Sequence, residues 1–217
     1  MAKQDHRGKR RPRHERIERR NLELGYYLIY TDTEGTERAY FEGLHKSLPD
    51  EVRSKLQIKV VDGIKTRELI SKACRDSSYD PQLRETWIIF DRDQVTTFDK
   101  IIEKAESLNI HVGWSNPCIE IWLHAYLGRL KTFDTSVCCC ESLKRICRQK
   151  MNGYEYEYNK TDSDLYQRFY TVGSEEGAIK TAKNRYISLV RDGITVPSEM
   201  NPCTTVYKLV EEIRSKL

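Results

Sequence analysis

Short apolar segments alternate with amphipathic ones between residues 24 and 114, and no other feature of the chain restricts its fold as much. Four segments are rich in β-branched and aromatic residues and too short for typical helices, which predicts strands at residues 24–31, 56–61, 86–90 and 110–114. Segments with apolar side chains at helical spacing separate them, at residues 37–48, 66–75 and 96–108. Such alternation with short connections is typical of a parallel sheet with helices on both faces. We therefore expect an α/β fold built on a parallel four-stranded sheet.

The second half of the chain has a mainly helical pattern. Apolar spacing predicts helices at residues 118–127, 142–151, 164–170, 175–190 and 204–217. The composition does not shift between the two halves, so we expect one domain over residues 21–217. Within it, the sheet-containing core is expected at about residues 21–130 and a helical C-terminal extension at 131–217.

The net charge of +4 is unevenly distributed along the chain. Residues 1–20 hold nine Lys/Arg and three acidic side chains, a balance of +6, which leaves −2 for the other 197 residues. Almost no apolar side chain accompanies this charge, so we expect a disordered basic arm. Either it is only solvated, or Arg10, Arg11 and Arg13 contact the phosphates of a nucleic acid, since clustered arginines displace condensed counterions.

Composition excludes several other classes of protein. No apolar run approaches the roughly 18–20 residues of a membrane span, and the arginine-rich N-terminus has no apolar segment behind it as a secretory signal would. The seven cysteines are odd in number, and three are consecutive at 138–140, which favours a reducing cytoplasm over a disulfide framework. No C-x-x-C pair is present, so buried helix thiols are favoured over a structural zinc site.

Acidic side chains follow several of the predicted strands. Glu34 and Glu37 follow the first strand, Asp91 and Asp93 the third, and Glu120 lies shortly after the fourth. Ligands of open parallel sheets bind outside the carboxyl ends of the strands, so we expect these carboxylates to converge. Carboxylates that repel one another in a buried place are neutralised by a hard divalent cation, Mg²⁺ or Mn²⁺. The alternative is that they only cap helices or face solvent.

The order of these motifs resembles the Toprim domain, the catalytic fold of topoisomerases, DnaG-type primases and OLD-family nucleases. The more specific resemblance is to RloB-like proteins, small Toprim-type proteins encoded near restriction systems. Five stretches carry it and together span most of residues 24–217: TEGTERAYFEGL (33–44), WIIFDRDQ (87–94), SNPCIEIWLHAYL (115–127), YEYNKTDSDLY (156–166) and NPCTTVYKLVEEI (201–213).

The resemblance implies a metal-dependent nuclease of DNA or RNA, tRNA included, that acts in bacterial antiphage defence. Glu34, Asp91 and Asp93 would hold a metal ion, Glu37 and Glu120 are candidates for a second ion, and Lys160 matches a catalytic lysine. Relatives of this kind occur with an ABC- or SMC-like ATPase, so we expect such a partner, and a homodimer is a candidate assembly. Ser115 and Asn116 are expected to orient a substrate phosphate by hydrogen bonding.

Two alternatives remain at this point. The segment 87–95 also fits the strand-then-D-x-D motif of haloacid-dehalogenase-type phosphatases, with Asp91 as nucleophile and Asp93 as general acid. However, that motif normally opens its fold, whereas two predicted strands precede it here. The other alternative is a non-catalytic module that binds nucleic acid or regulates a partner, with a merely structural acidic cluster.

Overall fold

The fold is an α/β arrangement around one five-stranded sheet. The computed structural model describes residues 23–77, 84–93, 95–128, 130–151 and 156–217, so the predicted basic arm lies outside the described residues. The strands are β1 (Gly25–Thr31), β2 (Leu56–Val61), β3 (Arg84–Asp91), β4 (His111–Asn116) and β5 (Cys203–Thr204), in the order β2-β1-β3-β4-β5.

The first four strands are parallel, as the sequence pattern predicts. The expectation of a wholly parallel sheet of four strands is wrong, because β5 adds an antiparallel edge beside β4. A helix from residue 204 was expected there, but Thr204 bonds the Ser115 hydroxyl at 2.9 Å, and the Thr205 hydroxyl accepts from the amide of Trp114 at 2.9 Å. These two β-branched residues therefore extend the sheet before the helix begins.

Nine α-helices surround the sheet in the described part of the chain. They are α1 (Thr36–Ser47), α2 (Asp50–Lys55), α3 (Leu69–Ser77), α4 (Phe98–Ser107), α5 (Glu120–Tyr126), α6 (Ser136–Lys150), α7 (Leu165–Val172), α8 (Glu175–Arg191) and α9 (Tyr207–Arg214). Short 3-10 helices lie at Thr66–Glu68 and Pro197–Glu199. No helix in the described residues is both long and apolar enough to cross a membrane.

Alternate side chains of the central strands enter two separate hydrophobic cores. Tyr27 and Ile29 of β1 pack in the larger core with side chains from α1, α5, α6, α7 and α9. Leu28 and Tyr30 point to the other face and pack with side chains from α3 and α4. Since both faces of β1 are buried, the sequence reads as a continuous apolar run, and the prediction of helices on both faces is confirmed.

Helix α8 contributes to both cores. Its Ala178 and Ala182 lie in the larger core, and Leu189 lies in the smaller one. Tyr186, between them in sequence, packs against both. The helix therefore spans the edge at which the two cores approach each other.

Gly43 is the point of closest contact between α1 and α7. A methyl group at this position would lie 2.5 Å from the Cβ of Tyr166, a buried residue. We expect Gly43→Ala to lower the free energy of unfolding by ~1–3 kcal/mol in urea denaturation, because overpacking outweighs the better helix propensity of alanine. Gly177→Ala is the control, since its methyl group meets only the Ser174 side chain. Equal stability of the two variants would contradict the expectation.

Candidate metal centre

The β1–α1 turn places two acidic side chains next to the end of the sheet. Glu37, in the first turn of α1, is 1% exposed, and its Oε2 accepts a hydrogen bond from the Thr33 hydroxyl at 2.8 Å. Asp32 directly follows β1, and its Oδ2 accepts from the Thr66 hydroxyl at 2.9 Å. Each carboxylate is thus held through one oxygen.

Glu34 occupies a different position from these two. Its side chain is exposed and lies against Gly63, where an added Cβ would come within 2.8 Å of the Glu34 Oε1. Gly63 has a φ of 68°, a conformation that favours glycine, so the close approach and the backbone both require this residue. The expected role of Glu34 as a metal ligand stays a prediction.

The end of β3 presents Asp91 and Asp93 in different surroundings. Asp91 is partly buried and accepts a hydrogen bond from the amide of Ile119. Asp93 is exposed, has a φ of 24°, and accepts from the Ser136 hydroxyl through Oδ1 at 2.9 Å. Asp91 therefore faces the interior of the site, while Asp93 joins β3 to the start of α6.

Glu120, the first residue of α5, is fully buried and paired with a lysine. Its Oε1 lies 3.1 Å from Lys160 Nζ and accepts a hydrogen bond from the Tyr158 hydroxyl at 2.9 Å. The Tyr158 hydroxyl is also 2.7 Å from that of Thr36. Since Thr36 opens α1, this chain of contacts connects α1, α5 and the segment before α7.

A glycine allows the lysine segment to approach. A Cβ on Gly35 would lie 3.2 Å from Lys160 Cβ and 3.6 Å from the Lys160 carbonyl oxygen. Any side chain at this position would press the Lys160 backbone away from the sheet. Gly35 therefore allows Lys160 to lie close to the β1–α1 turn.

Electrostatic repulsion is concentrated on Asp91 and Glu37. Burial, together with Glu37 and Glu120, raises the pKa of Asp91 well above its usual range. Burial, with smaller contributions from Glu120 and Asp32, raises the pKa of Glu37 to about 7. Burial also acts to raise the pKa of Glu120, but the Lys160 ammonium and the hydrogen bonds from Cys118 and Tyr158 lower it overall.

Four carboxylates of this cluster each retain a buried oxygen that accepts no hydrogen bond. The four atoms are Asp32 Oδ1, Glu37 Oε1, Asp91 Oδ1 and Glu120 Oε2. A buried polar atom without a partner is costly, and four acidic ones at one end of a sheet fit a cation. The donors are hard oxygens, which suit Mg²⁺ or Mn²⁺. No three of these oxygens lie within 4.8 Å of one another in the described residues, so cation binding would draw the carboxylates closer.

Two thiols also approach Glu120. Cys118 Sγ, Cys140 Sγ and a Glu120 oxygen all lie within 4.8 Å of one another, a group that sequence spacing did not predict. A hydrogen bond with Cys139, and burial, raise the pKa of the Cys118 thiol, and a hydrogen bond with Cys118, and burial, raise that of Cys140. Thiolates are soft donors, whereas the unpartnered carboxylate oxygens are hard ones, so the two thiols do not belong to the set that suits Mg²⁺ or Mn²⁺.

The residues expected to contact substrate have other surroundings. Ser115 is fully buried against Thr204, and Asn116 is 4% exposed and donates to the carbonyls of Pro197 and Ser198. Their polar atoms thus support the sheet edge, and their contact with a phosphate stays a prediction. Arg10, Arg11 and Arg13 lie outside the described residues.

Comparison with known proteins gives one result. The family described as "RloB-like protein" matches residues 27–213, a range that includes every described residue of the centre. The chain belongs to the RloB-like family. Neither a curated protein nor a solved structure matches it.

Two residues of the centre in this RloB-like protein were not among the site residues predicted from the sequence. Asp32 is the first acidic residue after β1, but its neighbours Glu34 and Glu37 carry the recognisable motif. Tyr158 belongs to the YNK stretch, in which only Lys160 has an evident charge role. The signal for both was proximity in sequence to predicted site residues.

Because the pKa of Glu37 is raised, we predict that the stability of the metal-free RloB-like protein depends on pH. The folded state holds this proton up to about pH 7, whereas the unfolded state releases it near 4.5. The folded form therefore binds more protons in that interval, and its stability falls as the pH rises through it. In EDTA, we expect Glu37→Gln to remove about 3 kcal/mol of this loss between pH 4.5 and 7.5, measured by urea denaturation. The same pH slope in both proteins would contradict the prediction.

Proposed function

We propose that this RloB-like protein is a divalent-metal-dependent nuclease that hydrolyses phosphodiester bonds of DNA or RNA. The observation that carries the proposal is the set of four buried carboxylate oxygens without hydrogen-bond partners, on Asp32, Glu37, Asp91 and Glu120. A purely structural cluster would satisfy these atoms with donors from the protein. Metal-assisted hydrolysis instead needs carboxylates held in place with free lone pairs.

In the proposal, the carboxylates of the centre hold the metal ion, and neighbouring hydroxyls hold the carboxylates in place. Asp91, Glu37, Glu120 and Asp32 would hold Mg²⁺ or Mn²⁺, which when bound supplies Lewis acidity and lowers the pKa of a water molecule. The Thr33 and Thr66 hydroxyls each hold one oxygen of Glu37 and Asp32 and leave the other oxygen without a partner. These hydrogen bonds fix the free oxygens before any ion arrives.

Lys160 has a catalytic role in the proposal. Its side chain is 56% exposed, although its ammonium group lies 3.1 Å from the buried Glu120. Glu120 and Cys140 raise the pKa of Lys160 despite its burial, so the amine stays protonated. A permanent, partly exposed cation at the edge of the carboxylate cluster can neutralise the departing oxygen of a phosphodiester.

The proposed activity is tested by cleavage of plasmid DNA and of total cellular RNA. We expect the wild-type protein to cleave one of these polymers in Mg²⁺ or Mn²⁺ and neither in EDTA, and calorimetry to detect binding of the metal alone. The Asp91→Asn variant is the matched inactive protein. If neither polymer is cleaved with any divalent metal, and calorimetry detects no binding, the proposal is wrong.

The same assay separates the phosphatase and the non-catalytic module. A phosphatase with Asp91 as nucleophile would hydrolyse p-nitrophenyl phosphate, and Glu34→Gln would leave that activity intact. A non-catalytic module would bind nucleic acid without metal-dependent cleavage. The unpartnered oxygens count against the non-catalytic module, because a merely structural cluster would satisfy them with donors, while the response to Glu34→Gln and the substrate separate the nuclease from the phosphatase.

We also propose that the nuclease acts in antiphage defence, restrained or licensed by a separately encoded ABC- or SMC-like ATPase. Its support is the resemblance to RloB-like and related Toprim proteins, together with a sequence that contains no P-loop. Co-purification with the product of a neighbouring ATPase gene, followed by mass measurement, tests this association and the homodimer together. Separate species with a monomeric nuclease would contradict both.

A further inference from the structure

A cavity of about 430 Å³ lies beside the carboxylate centre, and basic side chains line it. It is lined by the C-terminal end of α5, by Lys131 and by residues 142–150 of α6, and its volume is in the range of ligand pockets. Three lining residues are cationic and none is acidic: the lining consists of His124, Leu127, Lys131, Ser142, Arg145, Ile146, Gln149 and Lys150. The cavity therefore carries a positive charge, while the centre one helical turn away is acidic.

The cations of the cavity have no acidic partner in the described part of the molecule. Lys131, Arg145 and Lys150 are exposed and form no ion pair with any residue there. By contrast, Arg148 on another face of α6 pairs with Glu157 at 2.9 Å. Three unpaired cations around one concavity favour an anion, because like charges held close together repel one another unless a counter-charge is bound.

Neutral hydrogen-bonding groups in the cavity are also left free. Ser142 is 8% exposed, and its hydroxyl makes no hydrogen bond with any described residue. Gln149 is exposed on α6, and its side chain likewise makes no hydrogen bond with a described residue. The Ser142 oxygen is not among the fully buried unpartnered atoms, so the hydroxyl is accessible from the cavity that it lines and can donate to a ligand oxygen.

His124 connects the cavity to the metal centre. It lies four residues after Glu120 on α5, and its Nε2 donates to the Cys139 carbonyl at 3.2 Å, which leaves Nδ1 as an acceptor. Burial, with Lys131, lowers the pKa of His124, so the ring is neutral at pH 7. Because residues i and i+4 are neighbours on a helix, His124, which lines the cavity, lies next to Glu120 of the centre along α5.

We propose that this cavity binds a backbone phosphate of the nucleic-acid strand whose scissile bond lies at the carboxylate centre. Lys131, Arg145 and Lys150 would supply the charge, and Ser142 a hydrogen-bond donor. This inference rests on the proposed nuclease function and adds a substrate-binding site to it. It also assigns phosphate affinity to the folded body, where the sequence places it only in the arm of residues 1–20.

The test measures binding without catalysis. A fluorescein-labelled single-stranded oligonucleotide of about 12 nucleotides is titrated in EDTA with the full chain, and fluorescence anisotropy is recorded at several salt concentrations. We expect the triple variant Lys131→Gln/Arg145→Gln/Lys150→Gln to bind about tenfold more weakly or worse. The slope of log affinity against log salt should become shallower by about 1–2.

A matched triple variant controls for net charge. Lys104, Lys180 and Arg191 are exposed, line no part of the cavity and form no ion pair in the described residues. Their replacement by glutamine changes the charge equally, and we expect affinity within about twofold of wild type. Circular dichroism establishes that both variants fold. Equal weakening in both triples, or none in the cavity triple, would overturn the inference.

Further measurements identify the source of the phosphate and separate failure of the phosphate site from failure of the proposed nuclease function. If adenosine monophosphate competes at the cavity as strongly as the oligonucleotide, the site takes a free nucleotide and the strand assignment is wrong. The Ser142→Ala variant should weaken binding by about threefold, as loss of one hydrogen bond does. Because no cleavage is needed, an inactive protein that still shows cavity-dependent binding would refute the nuclease and retain the phosphate site.

Discussion

Replacement of Asp91 by asparagine should reduce metal-dependent cleavage by at least about 10³-fold, since several kcal/mol of transition-state stabilisation depend on the metal. Asp91 is the member of the cluster that both Glu37 and Glu120 influence directly. Asparagine keeps the shape of the side chain but removes the negative charge that holds a cation. Calorimetric titration with Mg²⁺ should show loss or strong weakening of binding in the same variant.

The same change should stabilise the metal-free protein. Ionised Asp91 is disfavoured in the folded state by burial and by its acidic neighbours, so a neutral amide relieves that cost. In EDTA at pH 8, we expect Tm to rise by a few degrees, the shift that ~1 kcal/mol produces in a chain of this size. The exposed Asp192→Asn variant is the control and should change neither property. Loss of activity with a lowered Tm would instead indicate damage to the fold.

Replacement of Lys160 by methionine should change the pH dependence of stability as well as the activity. In the wild-type protein the lowered pKa of Glu120 contributes stability above about pH 4.5, which is lost as the pH falls. Without the ammonium group, burial raises the pKa of Glu120, and stability should then fall as the pH rises. We expect a loss of ~2 kcal/mol at pH 8, below the ~3–5 kcal/mol for a fully buried pair because Lys160 is half exposed.

Denaturation at pH 4.5 and pH 8, in EDTA, tests this dependence. Lys59→Met on β2 is the matched control, because Lys59 is exposed and forms no ion pair in the described residues. The double variant with Glu120→Gln should abolish the pH-dependent part of the loss, since no charge is then left unpaired. A loss of equal size at both pH values would mean that Lys160 acts only through packing.

The central strands β1 and β3 could be predicted because they are buried on both faces, and β2 because its apolar residues alternate with polar ones. Residues 56–61 form β2 as predicted, and β1 and β3 differ from the predicted strands by no more than two residues at either end. Strand β5 could not be predicted, because two residues carry no periodicity and their pairing depends on β4, far away in sequence. Helix α2 was also missed, since it has no buried residue and therefore no apolar pattern.

The sequence could predict which carboxylates lie near one another where position along a strand decided it, but not where side-chain direction did, and their roles as metal ligands stay predictions. Asp91, Glu37 and Glu120 influence one another as their placement after parallel strands implied. The exposure of Glu34 and the internal hydrogen bonds of Asn116 depend on packing that no local pattern encodes. The basic cavity was missed for the same reason, because its cations come from two separate segments of the chain.

Helix α8 joins the two hydrophobic cores a second time, in addition to the central strands of the sheet. Ala178 and Ala182 lie in one core, Leu189 lies in the other, and Tyr186 contacts both. We therefore expect an opening of either face to disturb the same helix, and the two faces to unfold as one cooperative unit. The carboxylates thus lie at the end of a sheet that both cores hold in place, and this packing opposes their separation by repulsion.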